Sequence, residues 1–357
     1  MRKFLIRFGI VILSTLLCAL LLEFALGFTN AGNRVVFRVR PRLGVSRAPN
    51  QKGVEPGNEF AGQWVPLTIN SLGFRGPELA EHKQPGEIRI QCLGDSFVFG
   101  GGVGDDDTFP ANAQKICNNS NPKPIWINSG GNGYDGREAA GYLDFYYPTV
   151  RPDIVVFGWN WNDLVSIAGE SSAEITSFDS PRLKTLASLF GVETLTLRKT
   201  AIYKFVNYYQ NPRQWNKPET LDAFKQEYLS KVVGAANGPG SADRWNLARK
   251  AISRMNELCK KHGSKYFVFV MPELTWKESA RFVAIDKLEA LLDSLKIPFV
   301  DAQPEFFDSF KAGRHMVQNL DPAHPSAEGQ RMLAEVLVNA LAKLKWIPEP
   351  AKVPESK

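Results

Sequence analysis

The run Ile88-Arg89-Ile90-Gln91-Cys92-Leu93-Gly94-Asp95-Ser96 decides the fold. Its first seven residues form a short, largely apolar stretch that stops at a glycine, which is typical of a buried strand of a parallel sheet. Short apolar runs flanked by Gly or Pro recur further along the chain. They are 125–128, 154–158, 266–271 and 297–301. The sequence therefore predicts five buried strands.

Helical patterns separate these strands. An apolar stripe at helical spacing predicts a helix over 241–262, with Ser241 as its cap and Gly263 closing it. A second stripe predicts a final helix that begins at Pro325, since proline is favourable at a first helical position. Strands that alternate with helices predict a three-layer α/β domain whose mostly parallel sheet has helices on both faces.

The pattern divides the chain into unequal parts. Residues 29–87 are rich in Gly, Pro and Arg and predict an extended lead-in segment with turns. The main domain is expected over 88–347, and residues 348–357 form a tail. Within the domain, 171–238 predicts a helical, aromatic insertion after the third strand. It is interpreted either as a cap over the strand ends or as a unit whose aromatics make its own small core.

The N-terminus predicts a membrane-spanning helix. Arg2, Lys3 and Arg7 precede an apolar stretch over 8–28 that only Glu23 interrupts, and about 20 apolar residues suffice to span a bilayer. A secretory signal peptide shares this layout and is the competing interpretation. In either case residues 1–28 direct the remainder out of the cytoplasm.

Composition excludes several classes of protein. Of the 357 residues, 44% are hydrophobic, which is enough to form a large core. The net charge is +6, and the chain has no dense basic run of the kind found in nucleic-acid-binding proteins. Cys92, Cys117 and Cys259 have no CxxC spacing, and the histidines have no ligand-like spacing, so no metal or other cofactor is expected.

Polar residues follow the predicted strands in turn, where open α/β sheets bind their ligands. Gly94-Asp95-Ser96 follows the first strand, and a stretch ending in Gly133 follows the second. Asn162-Asp163 follows the third, and Asp321-Pro322-Ala323-His324 precedes the last helix.

This set matches what acyl transfer by a serine requires. A hydroxyl needs a base near neutral pKa, a role that suits His324 for Ser96, and Asp321 can orient the imidazole from three residues upstream. Backbone N–H groups of Ser96 and Gly133 and the side-chain amide of an Asn can donate to the oxyanion.

These blocks resemble the SGNH (or GDSL) hydrolases over approximately residues 88–345. The resemblance implies a flavodoxin-like α/β/α sandwich with Ser96 as nucleophile and His324 and Asp321 as its partners. It implies an oxyanion hole formed by Ser96, Gly133 and Asn162. The phrase 70–76 and the glycine run after Ser96 are similar to those of membrane-anchored bacterial members, some of which modify cell-surface polysaccharides.

Two departures from the family pattern affect particular residues. Phe97 stands where the first block usually has Leu. The third block normally reads Gly-x-Asn-Asp, whereas here Trp159-Asn160-Trp161 separates Gly158 from Asn162-Asp163, so Asn160 is an alternative oxyanion donor. At least one of Trp159 and Trp161 is expected to line the pocket, where it would stack on a sugar ring.

Three functions are consistent with these features. The leading hypothesis is an exported serine esterase or O-acetyltransferase that acts on acetylated carbohydrate, tethered to the bacterial inner membrane on its periplasmic side. A general or lipid carboxylesterase is the second. A polysaccharide-binding or assembly subunit without catalysis is the third.

Overall fold

The computed structural model describes residues 1–35, 37–40, 44–161, 163–164, 199–210, 234–272, 280–321 and 323–350. Its first helix, α1 (Arg2–Gly27), is long and apolar enough to cross a bilayer, with a mean hydropathy of 2.5 over its most apolar window. None of that window is buried against the remainder of the protein.

The centre of the molecule is a five-stranded parallel sheet. Its strands are β5 (Ile88–Gly94), β6 (Pro124–Asn128), β7 (Ile154–Trp159), β8 (Lys265–Val270) and β9 (Phe299–Asp301). They lie in the order β6-β5-β7-β8-β9, and every neighbouring pair is parallel. This is the flavodoxin-like order, so the predicted fold class is confirmed. The strand order reverses at β5 and β7, which places a crevice at their carboxyl ends.

Helices cover both faces of the sheet. They are α2 (Ser96–Phe99), α3 (Phe109–Ile116), α4 (Gly136–Val150), α6 (Ser241–His262), α7 (Ala280–Leu295), α8 (Gln303–Lys311) and α9 (Ala327–Lys343). Alternation along β7 assigns its side chains to two cores. Val155 and Phe157 pack in the cluster that includes residues of α4 and α6, whereas Val156 packs in the cluster of α3 and α9. The period of two along a strand produces this separation of the layers.

The two predicted helices differ from expectation only at their first residues. Helix α6 has the predicted span and ends at Gly263, whose φ of +77° is the left-handed conformation that glycine adopts without strain. Its N-cap is Gly240 rather than Ser241. The prediction that the last helix begins at Pro325 is wrong. Pro325 forms an antiparallel bridge with Val317, and Ser326 is the N-cap of α9.

The lead-in segment folds into two antiparallel hairpins. They consist of β1 (Phe37–Arg40) with β2 (Gly44–Arg47), and β3 (Gln51–Pro56) with β4 (Trp64–Ile69). Leu67 and Ile69 of β4 pack with Val35 against Phe99 of α2. Arg75 continues the contact, since it forms a bridge with Asn128 at the end of β6. The lead-in therefore packs directly against the helix that carries Ser96.

Most of the expected insertion at 171–238 lies outside the described residues. Within it, the structure describes α5 (Ala201–Gln210). The backbone N–H groups of Ala201 and Ile202 donate to the two carboxylate oxygens of Glu23 at 2.5 and 2.9 Å. The one acidic residue of the apolar N-terminal stretch thus caps a helix of the insertion.

Candidate active site

Ser96 is the first residue of α2, immediately after β5. Asp95 is the N-cap of this helix, and its Oδ1 accepts from the backbone N–H of Phe97 at 2.9 Å. Gly94 allows the sharp exit from the strand: its φ is +148°, and an added Cβ would lie 2.6 Å from the carbonyl oxygen of Gly158 on β7. The local sequence therefore places a serine hydroxyl at the point where the strand order reverses.

The structure brings the three predicted triad residues into one line. Ser96 Oγ lies 2.7 Å from His324 Nε2, and His324 Nδ1 lies 2.9 Å from Asp321 Oδ2. With Nδ1 protonated and donating to Asp321, Nε2 presents a lone pair to the Ser96 hydroxyl. The side chains of His324 and Asp321 are 22% and 28% exposed, so the line is open to a ligand on one side.

A tight loop before α9 presents His324 and Asp321. Its base is closed by the bridge between Val317 and Pro325, and within it the N–H of His324 donates to the carbonyl of Asp321 at 3.1 Å. The imidazole also packs on the ring of Phe97, with centroids 5.1 Å apart. Phe97 therefore forms one side of the surroundings of the His324 imidazole.

Gln318 joins this loop to the loop that follows Ser96. Its side chain is fully buried, and its Nε2 donates to the carbonyls of Gly101 at 2.7 Å and Pro325 at 2.8 Å. An added Cβ at Gly101 would lie 3.8 Å from Ser96 Cβ and 3.9 Å from His324 Cδ2, so the loop lies close to both proposed reacting side chains. One amide thus fixes the segment after the serine relative to the segment that carries the histidine.

The two candidate oxyanion asparagines differ in what the structure describes. Asn162 lies outside the described residues. Asn160 is 1% exposed directly after β7, and among the described residues its side-chain Nδ2 and Oδ1 have no hydrogen-bond partner. A buried donor without a partner costs about 1–3 kcal/mol, so such groups are found where a ligand or a reaction uses them.

Asp163 holds the turn that contains Asn160. Its Oδ2 accepts from the backbone N–H of Asn160 at 2.8 Å. Burial raises the pKa of the Asp163 carboxyl well above its usual range, the hydrogen bonds from Asn160 and Gly136 oppose this, and the charges of Asp95 and Asp135 raise it further. The fold therefore shifts Asp163 toward its neutral form relative to the unfolded chain.

The remaining predicted residues have mixed environments. Gly133 is an exposed residue of the turn after β6, with a φ of +74°. Trp159 is 2% exposed and packs in the core cluster of α4 and α6, whereas Trp161 is partly exposed. Trp161 is thus the better placed of the two tryptophans to meet a ligand.

Two other features bear on the type of site. Among the described residues, no group of three or more His, Cys, Asp and Glu side chains is arranged to hold a metal ion. A cavity of about 720 Å³ runs along the edge strand β9, lined in part by Phe299, Arg314 and Lys343. Neither Ser96 nor His324 lines that cavity, so it is separate from the candidate site.

Sequence reasoning missed three residues that shape this site. Gln318 and Asn58 touch the loops of Ser96 and Asp321, and Arg75 binds the backbone that follows α2. All three lie outside the strand-end blocks. The roles of Asn58 and Arg75 follow only from their hydrogen bonds to loops that are distant along the chain. A single sequence does not show such contacts.

Comparison with known proteins gives similar solved structures only. No family model and no curated protein matches the chain. It is similar to the structure of TesA, at 14% identity and a TM-score of 0.43 over 72% of this chain and 99% of that one. It is similar to a lipolytic protein of the G-D-S-L family from Veillonella parvula, at 12% identity and a TM-score of 0.41 over 72% of this chain and 99% of that one. An acetylxylan esterase from Geobacillus stearothermophilus, in a catalytic-mutant form, has 14% identity and a TM-score of 0.36 over 71% of this chain and 94% of that one.

Proposed function

We propose that this protein is a membrane-anchored serine esterase or acyltransferase that uses Ser96, His324 and Asp321. One observation carries the proposal. At the carboxyl end of β5, the Ser96 hydroxyl lies 2.7 Å from the His324 imidazole, which in turn lies 2.9 Å from the Asp321 carboxylate. An activated serine has this arrangement: its base lies within hydrogen-bond reach, and a third group orients the base.

The proposed chemistry proceeds in two half-reactions. Ser96 Oγ attacks the ester carbonyl carbon while His324 Nε2 takes the hydroxyl proton. The tetrahedral intermediate collapses, the ester C–O bond breaks, and the leaving alkoxide takes that proton from His324. Water or a sugar hydroxyl then attacks the acyl carbon and gives its proton to His324. The bond between Ser96 Oγ and the acyl carbon breaks, His324 returns the proton to Oγ, and the acid or the new ester leaves.

The developing oxyanion needs donors that are fixed before the reaction. We assign the backbone N–H groups of Ser96 and Gly133 to this role, as the sequence indicates. For the side-chain donor we retain Asn162 and Asn160 as the two candidates. The buried amide of Asn160, which has no hydrogen-bond partner among the described residues, supports the second. One such donor is worth about 2.7–4 kcal/mol of transition-state stabilisation.

A small acyl group, most simply acetyl, is the proposed transferred unit. The close approach of the Gly101 loop to Ser96 and His324 supports this, because it leaves little space on that side of the two residues. A carbohydrate is the proposed alcohol portion, supported by the partly exposed indole of Trp161 one residue from Asn160.

We further propose that α1 stays attached as a membrane anchor, with the catalytic domain on the periplasmic side. Support comes from Glu23, whose carboxylate caps α5. An intact mass of the membrane-extracted protein that includes residues 1–27 is expected. A mature N-terminus beyond Gly27 would overturn the anchor.

The esterase proposal is tested with the full chain in detergent and p-nitrophenyl acetate. The wild type should release nitrophenol, and Ser96→Ala should lose the activity by several orders of magnitude with an unchanged melting temperature. Activity retained in Ser96→Ala would overturn the mechanism. A wild type that is inert on acetyl, longer-chain and lipid esters would favour a polysaccharide-binding or assembly subunit. A preference for esters with long acyl chains would favour a lipid esterase.

A further inference from the structure

The turn that joins β3 to β4 is held in one shape by its own hydrogen bonds. The N–H of Gly57 donates to the carbonyl of Gln63 at 2.9 Å, and the N–H of Glu59 donates to Gln63 Oε1 at 2.9 Å. The N–H of Gln63 returns to the carbonyl of Phe60 at 3.1 Å. A turn bonded to itself in this way presents Asn58, which lies between Gly57 and Glu59, at a defined position.

This turn is attached to the segment that leads into Asp321. The N–H of Leu320 donates to the carbonyl of Asn58 at 2.7 Å, and Asn319 Nδ2 donates to the carbonyl of Glu59 at 3.3 Å. The carboxylate of Glu59 also lies 2.8 Å from His315 Nε2. Three contacts over 315–320 therefore fix the backbone on the N-terminal side of Asp321.

The side chain of Asn58 faces Asp321 itself. Its Nδ2 lies 3.5 Å from Asp321 Oδ2, the same oxygen that lies 2.9 Å from His324 Nδ1. The amide also packs against the loop after Ser96, because an added Cβ at Gly102 would lie 2.4 Å from Asn58 Nδ2. Asn58 thus contacts both loops that carry the proposed triad.

We infer that Asn58 is a positioning residue for the Asp321–His324 pair. The inference rests on the proposed esterase function and deepens it. The amide N–H donates to the carboxylate oxygen that accepts from His324, so it restrains rotation of the carboxylate and keeps that oxygen toward the imidazole. A residue of the lead-in hairpin, about 30 positions before the first strand of the sheet, is thereby part of the active-site support.

If Asn58 acts on Asp321, a change of its charge should affect the protonation of His324, which a general packing role would not predict. A negative charge in place of the amide would lie beside Asp321 and stabilise the imidazolium form of His324. The titratable and charged groups around this loop include Asp321, His324, the Glu59–His315 pair and the Arg314–Glu328 pair, whose carboxylate also accepts from the backbone N–H of His315. Of these, His324 is the group whose protonation removes the base.

The experiment compares Asn58→Ala and Asn58→Asp with the same two changes at Asn119, an exposed asparagine after α3. The full chain is assayed on p-nitrophenyl acetate across pH. Asn58→Ala should lower kcat by about tenfold, the lower end for a hydrogen bond to a charged group. Asn58→Asp should move the acidic limb of kcat/KM to higher pH, while both Asn119 variants follow the wild type.

Each outcome has a separate meaning. If the wild type is active, Ser96→Ala is inactive and both Asn58 variants match the wild type, this inference is wrong and the esterase proposal stands. A loss of kcat in Asn58→Asp without a shift of the pH profile also contradicts it, because it points to general packing. Should Asn58→Ala unfold, the near-isosteric Asn58→Asp still decides the matter.

Discussion

The guanidinium of Arg75 donates a 2.6 Å hydrogen bond to the backbone carbonyl of Gly100, the residue that ends α2. Its side chain is 1% exposed, and it also binds the carbonyls of Phe99 and Val103 and the carboxylate of Asp105. A single buried cation thus joins the lead-in segment to the turn after Ser96. Its fork of donors satisfies several carbonyls at once, which a lysine ammonium does not do with the same geometry.

We expect Arg75→Met to reduce both stability and activity. Removal of one partner from a buried charged network costs about 3–5 kcal/mol. The carbonyls of Gly100 and Val103 also lose the Arg75 donors that lie 2.6 Å away. Thermal unfolding and ester hydrolysis by the full chain measure the two effects. Arg254→Ala is the control, since its pair with Asp144 is exposed and worth about 0–1 kcal/mol. An Arg75→Met variant as stable as Arg254→Ala would show that the network is dispensable.

The choice between the two asparagines after β7 is open to a direct comparison. If Asn160 supplies the oxyanion donor, Asn160→Ala should lower kcat about 10²–10³-fold with little change in KM. Asn162→Ala should then remain near wild-type activity. The opposite ranking would assign the donor to Asn162, as the sequence first indicated.

The buried Asp163 predicts a specific pH dependence of stability. Its folded-state pKa is raised above the unfolded value of about 3.9, so the folded protein keeps a proton that the unfolded chain releases. Its stabilising contribution is complete below the unfolded pKa and is lost as pH rises through the folded pKa. Asp163→Asn removes this titration and still offers a carbonyl to the N–H of Asn160. The melting temperature of Asp163→Asn relative to wild type should therefore rise with pH. A difference in melting temperature that does not change with pH would contradict it.

The domain cysteines should be unreactive while the protein is folded. Cys92, Cys117 and Cys259 are buried, and burial raises the pKa of the Cys259 thiol to about 12. At pH 8 only about one Cys259 in ten thousand is then a thiolate, the form that reacts with iodoacetamide. Mass spectrometry should find these three thiols alkylated only after denaturation. Rapid alkylation of any of them in the native protein would show that the core around it opens.

The parts of the fold that sequence predicted are those that local chemistry determines. Ile88–Gly94 reads as a buried strand because it is short, apolar and closed by glycine, and the end of α6 follows from Gly263. The start of α9 was misplaced because Ser326 and Pro325 are both favourable near a helix start. Pro325 pairs with Val317, a non-local contact, and the helix therefore begins after Ser326.

The lead-in hairpins were missed for a related reason. Residues 29–87 have no strong alternation, and β4 is stabilised by the packing of Leu67 and Ile69 on Phe99 of α2 rather than by its own pattern. Ser96, His324 and Asp321 could be put forward from sequence as a triad because each follows a strand or precedes a helix within a recognisable block. Asn58 and Gln318 support the same site through contacts that no local pattern encodes.

Covalent trapping tests the central proposal most directly. Full-length protein is incubated with a small fluorophosphonate, digested, and mapped by mass spectrometry. We expect one phosphonyl group on Ser96, lost in Ser96→Ala and strongly slowed in His324→Ala, because the base 2.7 Å away activates the hydroxyl. Labelling of another residue, or equal labelling in His324→Ala, would contradict the assignment of Ser96 as an activated nucleophile.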